Sequence, residues 1–268
     1  MADKATKLSP VEFVKVFMKF DSDKNGYIEE KEMDLFIHDL LKELNDKEPT
    51  KAEVADKKKE ILEKYDLDKD GRFSMDELEN ILPVEPNLLR TYLSEGKRIG
   101  SVDFMKIFTR FDEDKSGFLE TVELRGFFHE LLSMKGKSSI NPRKLDDYIE
   151  YCLEKYDANK DGKFNLNELA KMLPLEENIF ETYGIKRDMT REDFNKVWDY
   201  YDKDNSGEIE GDEILALLHD VLKQQQPDRE YNKPDLERFR DIILEIYDEN
   251  KDNKLSRDEL CCLLSASM

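Results

Sequence analysis

The chain has 268 residues, a formal net charge of −20 and 40% charged residues, against 38% hydrophobic ones that include 15 Phe and 11 Tyr. The acidic balance argues against nucleic-acid backbones and anionic membranes, which attract clustered Lys and Arg, and fits a protein that holds cations, while the apolar share is enough for a core. MADKATKLSP at the start has no apolar h-region, no apolar run reaches membrane length, and three cysteines without CxxC spacing fit a reducing compartment, so a cytoplasmic monomer without membrane insertion is expected.

The first predicted element is a helix opened by Ser9, Pro10 and Glu12, a capping box with Pro in the first turn, and Phe13, Val14, Phe17 and Phe20 follow at helical spacing. It runs into DSDKNGYIEEKE (Asp21–Glu32), then a long apolar helix, LFIHDLLKEL. After the spacer NDKEPTK, a second box at Thr50–Glu53 opens a helix into DLDKDGRFSMDE (Asp66–Glu77), and the next helix stops at ILP because Pro83 cannot continue it. The same order recurs in DEDKSGFLETVE (Asp112–Glu123) followed by GFFHELLSM. Asn141–Pro142 opens the helix before DANKDGKFNLNE (Asp157–Glu168), which ends at MLP. Thr190–Asp193 starts a helix carrying Trp198 into DKDNSGEIEGDE (Asp202–Glu213), with ALLHDVLKQ after it, and DENKDNKLSRDE (Asp248–Glu259) closes the series.

The six dodecads start 45 or 46 residues apart. Each begins with Asp, ends with Glu and offers short oxygen-bearing side chains at positions 1, 3 and 5, as a hard cation requires when it takes six to eight oxygens. Position 7 gives a backbone carbonyl and position 12 both oxygens of a Glu, while position 6 must turn with positive φ. The ion implied is Ca²⁺, with Mg²⁺ a possible competitor. The expected ligands are Asp21, Asp23, Asn25, Tyr27, Glu29 and Glu32 in loop 1, and Asp66, Asp68, Asp70, Arg72, Ser74 and Glu77 in loop 2. Loop 3 supplies Asp112, Asp114, Ser116, Phe118, Glu120 and Glu123, and loop 4 Asp157, Asn159, Asp161, Lys163, Asn165 and Glu168. Loop 5 supplies Asp202, Asp204, Ser206, Glu208, Glu210 and Glu213, and loop 6 Asp248, Asn250, Asp252, Lys254, Ser256 and Glu259. Loops 1, 2 and 4 meet the strict pattern, loops 3 and 5 have Ser at position 5, and loop 6 has Asn253 in place of Gly, so an empty loop 6 stays open. Position 8 is apolar throughout, at Ile28, Phe73, Leu119, Phe164, Ile209 and Leu255, and would bridge two loops as a short β-pair.

Long helices follow loops 1, 3 and 5 and short ones loops 2 and 4, so the unit is a pair of hands: residues 9–85, 100–176 and 189–266 within 1–268. Val102–Leu132 and the two LP-x-E links resemble the calbindin, calretinin and secretagogin family of six-EF-hand calcium-binding proteins, with a calbindin-like member the nearest match. The resemblance implies an all-α fold, three EF-hand pairs in one compact domain, and cytosolic Ca²⁺ buffering, with sensing through protein partners in some members. It also implies ligands at positions 1, 3, 5, 7, 9 and 12. Family members commonly carry degenerate hands, whereas here loop 2 has its full set and only loop 6 departs.

Filling six loops would move the formal charge from −20 to −8 and relieve self-repulsion. The seven internal Met, at 18, 33, 75, 105, 134, 172 and 189, form no cluster, which favours a buffer over a sensor that exposes a Met-rich groove. No GxSxG, P-loop, HExxH or zinc-spaced Cys/His pair is present, so catalysis is not expected. His38, His129 and His219 each follow their loop's Glu by six residues and precede an acid. The simpler reading is a helix position satisfied by that acid; the alternatives are a pH sensor or a secondary zinc ligand. Cys261–Cys262 reads as core, with redox sensitivity the alternative.

Overall fold

The computed structural model describes residues 7–45, 47–93, 97–134, 142–185 and 189–266. Asn141, proposed as a helix start, lies outside these residues. The chain divides into two compact units, Met1–Thr91 with Glu120–Lys155, and Tyr92–Leu119 with Tyr156–Met268.

The first unit holds α1 (Pro10–Phe20), α2 (Glu30–Asn45), α3 (Lys51–Tyr65), α4 (Met75–Glu79), α7 (Thr121–Ser133), and all but the last residues of α5 (Leu88–Tyr92) and α8 (Pro142–Tyr156). The expected caps form: Ser9 and Glu12 bond each other's backbone amides at 3.0 and 2.8 Å, and Thr50 and Glu53 do the same. Each box satisfies amides that have no partner within the first helical turn. α1 lies against α7 so closely that a Cβ on Gly126 would sit 3.4 Å from the Pro10 carbonyl oxygen. Phe13, Val14, Phe17, Phe127 and Phe128 are buried there, each worth about 1.5–3 kcal/mol of apolar transfer.

The second unit holds α6 (Ser101–Phe111), α9 (Leu166–Met172), α10 (Ile179–Tyr183), α11 (Arg191–Tyr201), α12 (Asp212–Gln225), α13 (Lys233–Tyr247) and α14 (Arg257–Ala266). Its core joins Phe104, Phe108 and Phe111 of α6 to Ile214, Leu217 and Leu218 of α12. The Tyr201 hydroxyl donates to Asp220 Oδ2 at 2.7 Å, and its ring stacks on Phe180. Burial, and then the Asp220 charge, push the Tyr201 hydroxyl well above the usual phenol range.

The position-8 residues pair as expected. Ile28 bridges Phe73 and Ile209 bridges Leu255, both antiparallel, while β1 (Phe118–Glu120) and β2 (Lys163–Asn165) form a two-stranded sheet carrying buried Leu119 and Phe164. The helices after loops 1, 3 and 5 have 16, 13 and 14 residues, against 5 and 7 after loops 2 and 4. Trp198 and Cys152 are buried. Cys261 and Cys262 are not, correcting the core reading, because Leu260, Leu263 and Leu264 take the buried stripe of α14. No described helix is long and apolar enough to cross a membrane.

A regularity absent from the sequence reading concerns the links. Leu8 pairs in parallel with Val84 in the first unit, and Ile99 with Leu175 in the second. Asn87 donates its amide to the Glu130 carbonyl at 2.8 Å, and Asn178 does the same to Asp220. Each LP-x-E link thus latches onto the residue after a helical histidine.

Candidate metal sites

All six loops share one backbone course. The residue at position 4, Lys24, Lys69, Lys115, Lys160, Asn205 or Lys251, has φ of 57–61°, and position 6 follows with φ of 77–85° at the five glycines. Asn253 reaches φ 63° and donates its amide to Asp248 Oδ2 at 2.8 Å, the bond that Gly162 makes to Asp157 at the same length. Loop 6 thus keeps the turn that glycine makes elsewhere. The left-handed position 4 was not anticipated, and five lysines there gave no chemical hint of it.

The terminal Glu closes each loop. Glu32, Glu77, Glu168, Glu213 and Glu259 accept the position-2 amide with Oε1 at 2.8–3.0 Å and the position-9 amide with Oε2. Glu123 holds the Glu120 amide in the same way. In the first five of these residues, one oxygen is thus held by an amide at the start of the loop and the other by the amide before the leaving helix, and in loops 2, 4 and 6 Ser74, Asn165 and Ser256 return the bond as an N-cap. Position 9 was expected only as a ligand; its capping role was legible in S-x-x-E at Ser74–Glu77.

Asp21 Oδ2 takes the Gly26 amide and Asp202 Oδ2 the Gly207 amide, but Oδ1 of each is buried without a hydrogen-bond donor among the described residues. A buried carboxylate oxygen left so costs about 1–3 kcal/mol or more, which a cation would remove. Burial first, then Glu32 and Asp23, push the Asp21 carboxyl above its usual range; burial and Asp204 do so for Glu213, and burial with Asp70, Glu77 and Asp66 for Asp68. Asp21, Asp23 and Glu32 bring ligand oxygens within 4.8 Å of one another, as do Asp66, Asp68 and Asp70. The donor set is all oxygen and flexible, which fits Ca²⁺.

Three side chains modify this picture. Arg72 at position 7 of loop 2 stacks on Tyr27 at position 7 of loop 1 and bonds Asp70 Oδ2 at 2.6 Å. Lys254 bridges Glu208 and Glu210 at 2.9 and 2.7 Å, and these bonds raise its ammonium above the usual range. Loop 3 is divided by the unit boundary, with Asp112, Asp114, Ser116 and Phe118 in the second unit and Glu120 and Glu123 in the first. Within the second unit, Asp112 Oδ1 takes the Gly117 amide at 3.3 Å and Oδ2 takes the Lys233 ammonium at 2.9 Å. Side-chain exposures of 4% for Lys233 and 0% for Asp112 make this a buried ion pair. The oxygen that has no donor in loops 1 and 5 is occupied by a tethered cation in loop 3. Pro234 follows onto Gly117, where a Cβ would meet its Cδ at 2.4 Å.

The histidines separate into two cases. Nδ1 of His38 and Nδ1 of His219 lie 3.5 and 3.4 Å from their own neighbours Asp39 and Asp220, in line with the simpler reading, while the buried Nε2 of His219 has no hydrogen-bond partner among the described residues. His129 differs: its neighbour Glu130 accepts the Leu88 amide, and its Nε2 lies 3.4 Å from Asp76 instead.

A family model described as EF-hand domain pair matches residues 12–82, 102–173 and 191–265. Secretagogin from Xenopus laevis is 38% identical over 262 residues, 96% of each chain. The chain belongs to the calbindin–calretinin–secretagogin family of EF-hand calcium-binding proteins. Calbindin-32 from Drosophila melanogaster is 36% identical, covering 96% of this chain and 86% of its own, and calretinin from Bos taurus is 34% identical over 91% and 89%. The family explains the loops as three EF-hand pairs built for Ca²⁺.

Proposed function

We propose that this chain is a cytoplasmic Ca²⁺ buffer that takes up five to six ions through the position-1, 3, 5, 7, 9 and 12 oxygens of its six loops. The observation that carries the reading is the set of inward carboxylates, above all the donorless buried oxygens of Asp21 and Asp202. The ion supplies charge neutralisation: it links both arms of each loop and stabilises the folded chain by mass action. Loops 1, 2, 4 and 5 bind directly, and loop 6 binds with Asn253 in the glycine conformation. Loop 3 fills after Lys233 leaves Asp112. Mg²⁺ competes weakly, since it demands octahedral ligands at shorter range. Two exposed thiols, Cys261 and Cys262, fit a reducing compartment.

A buffer needs no apolar docking face. Met33, Met75 and Met105 are buried in the core. The sensor reading draws support from Leu35, 61% exposed beside a groove between α2 and α3, where a protein target could sit. Calcium titration by calorimetry of chelator-stripped protein is expected to give five to six equivalents. One equivalent or fewer at millimolar Ca²⁺ would end the metal-binding reading. A large Ca²⁺-dependent rise in binding of a hydrophobic dye would replace the buffer with the sensor.

A further inference from the structure

His129 lies on α7 in the first unit, 4% exposed, with its ring beside Phe13. Its Nε2 is buried and makes no hydrogen bond, although Asp76 Oδ1 is 3.4 Å away. Asp76 and Glu79 stand three residues apart on α4 and therefore share a helix face. One ring nitrogen of His129 and one carboxylate oxygen from each acid lie within 4.8 Å of one another. Neither acid is a loop ligand: Asp76 sits at position 11 of loop 2, and Glu79 lies beyond the loop.

No hydrogen bond engages the buried His129 Nε2, so that nitrogen is left as a donor beside the two carboxylates. Two ligand atoms on one tetrahedral Zn²⁺, each about 2.0–2.1 Å from the metal, stand about 3.3–3.4 Å apart. His129 and Asp76 already have that separation. A nitrogen donor disfavours Ca²⁺, which takes oxygens in larger number, and favours borderline divalent cations of the zinc type. The neighbouring Glu130 accepts the Leu88 amide with its carboxylate and the Asn87 amide with its carbonyl.

We propose that His129, Asp76 and Glu79 form a separate site for one zinc-type divalent cation, with water in the fourth position, outside the six Ca²⁺ loops. Three protein ligands and an open position is the donor count of an accessible zinc centre. Asp76 and Glu79 are only partly buried, so an ion can approach from the carboxylate side. Occupancy would join α4, which carries the loop 2 ligand Glu77, to α7.

The test uses full-length protein saturated with Ca²⁺ and titrated with Co²⁺, whose visible absorption distinguishes four-coordinate from octahedral sites. One equivalent is expected to bind with four-coordinate absorption, to be displaced by Zn²⁺, and to weaken at least tenfold in Glu79→Gln and His129→Gln. His38→Gln and His219→Gln are expected to leave the signal unchanged. Ca²⁺ stoichiometry serves as the folding control: should His129→Gln lose Ca²⁺ uptake, the partly exposed Glu79→Gln decides alone. Absence of the four-coordinate signal, its persistence in Glu79→Gln, or its loss in the His38 or His219 variant would overturn the proposal. The outcome is independent of how many loops bind Ca²⁺.

Discussion

Replacing Lys233 with Met tests how loop 3 works. The ammonium bonds Asp112 Oδ2 at 2.9 Å with both side chains buried. An ion entering loop 3 has to displace it. A charge-assisted hydrogen bond of this kind is worth about 1.5–3 kcal/mol net, and each ~1.4 kcal/mol is tenfold in affinity. Lys233→Met keeps most of the methylene stem and removes the charge, so loop 3 should bind Ca²⁺ about ten- to a hundredfold more tightly. The same change leaves Asp112 buried and uncompensated without metal, lowering metal-free stability by about 3–5 kcal/mol. The two effects oppose in sign and arise from one pair. Calcium titration followed through the Gly117 amide resonance isolates loop 3, and urea unfolding in chelator reads the stability. If stability falls but loop 3 affinity stays the same or weakens, Lys233 remains beside Asp112 in the loaded state, and displacement is refuted.

Trp198, the single tryptophan, donates its indole N–H to Asp202 Oδ2 at 3.1 Å, so its fluorescence should change as loop 5 fills. Asp202→Asn should abolish that change, and a full response in the variant would show that the indole reports another loop. Glu259→Gln is expected to remove one equivalent of Ca²⁺ in calorimetry; unchanged stoichiometry would mean that loop 6 is empty. Thr121, β-branched at φ 27°, sits where the corresponding residue of loop 5 is Gly211. Thr121→Gly should stabilise the metal-free chain by about 1 kcal/mol in urea unfolding, and a lower midpoint would show that the strain is not stored there.

Much of this was legible because local chemistry repeats. The dodecads, the paired apolar position 8, the capping boxes at Ser9 and Thr50 and the alternating helix lengths all follow from short-range rules on turn geometry, period and proline. Asn253 could be read as a glycine substitute because a single residue's φ preference decides it. The side chains that arrive from far along the chain could not be read this way. Lys233 comes 121 residues after Asp112, and nothing in QQQPDREYNKP marks one lysine as buried. His129 looked identical to His38 and His219 in sequence, each followed by an acid.

The difference at His129 traces to the link between hand pairs. Asn87 and Leu88 take the Glu130 carbonyl and carboxylate. At the matching place in the second unit, Asn178 takes only the Asp220 carbonyl, and the Asp220 carboxylate is left to Tyr201 and His219. His129 Nε2 lies toward Asp76, whereas His219 Nδ1 lies toward its own neighbour. Equal sequence motifs acquire unequal chemistry because a link pairs with one of them more fully. The same reasoning applies to loop 3, where α13 brings Lys233 and Pro234 onto one of six similar loops. In this chain the repeat sets up equivalent sites, and contacts from outside the repeat make them different.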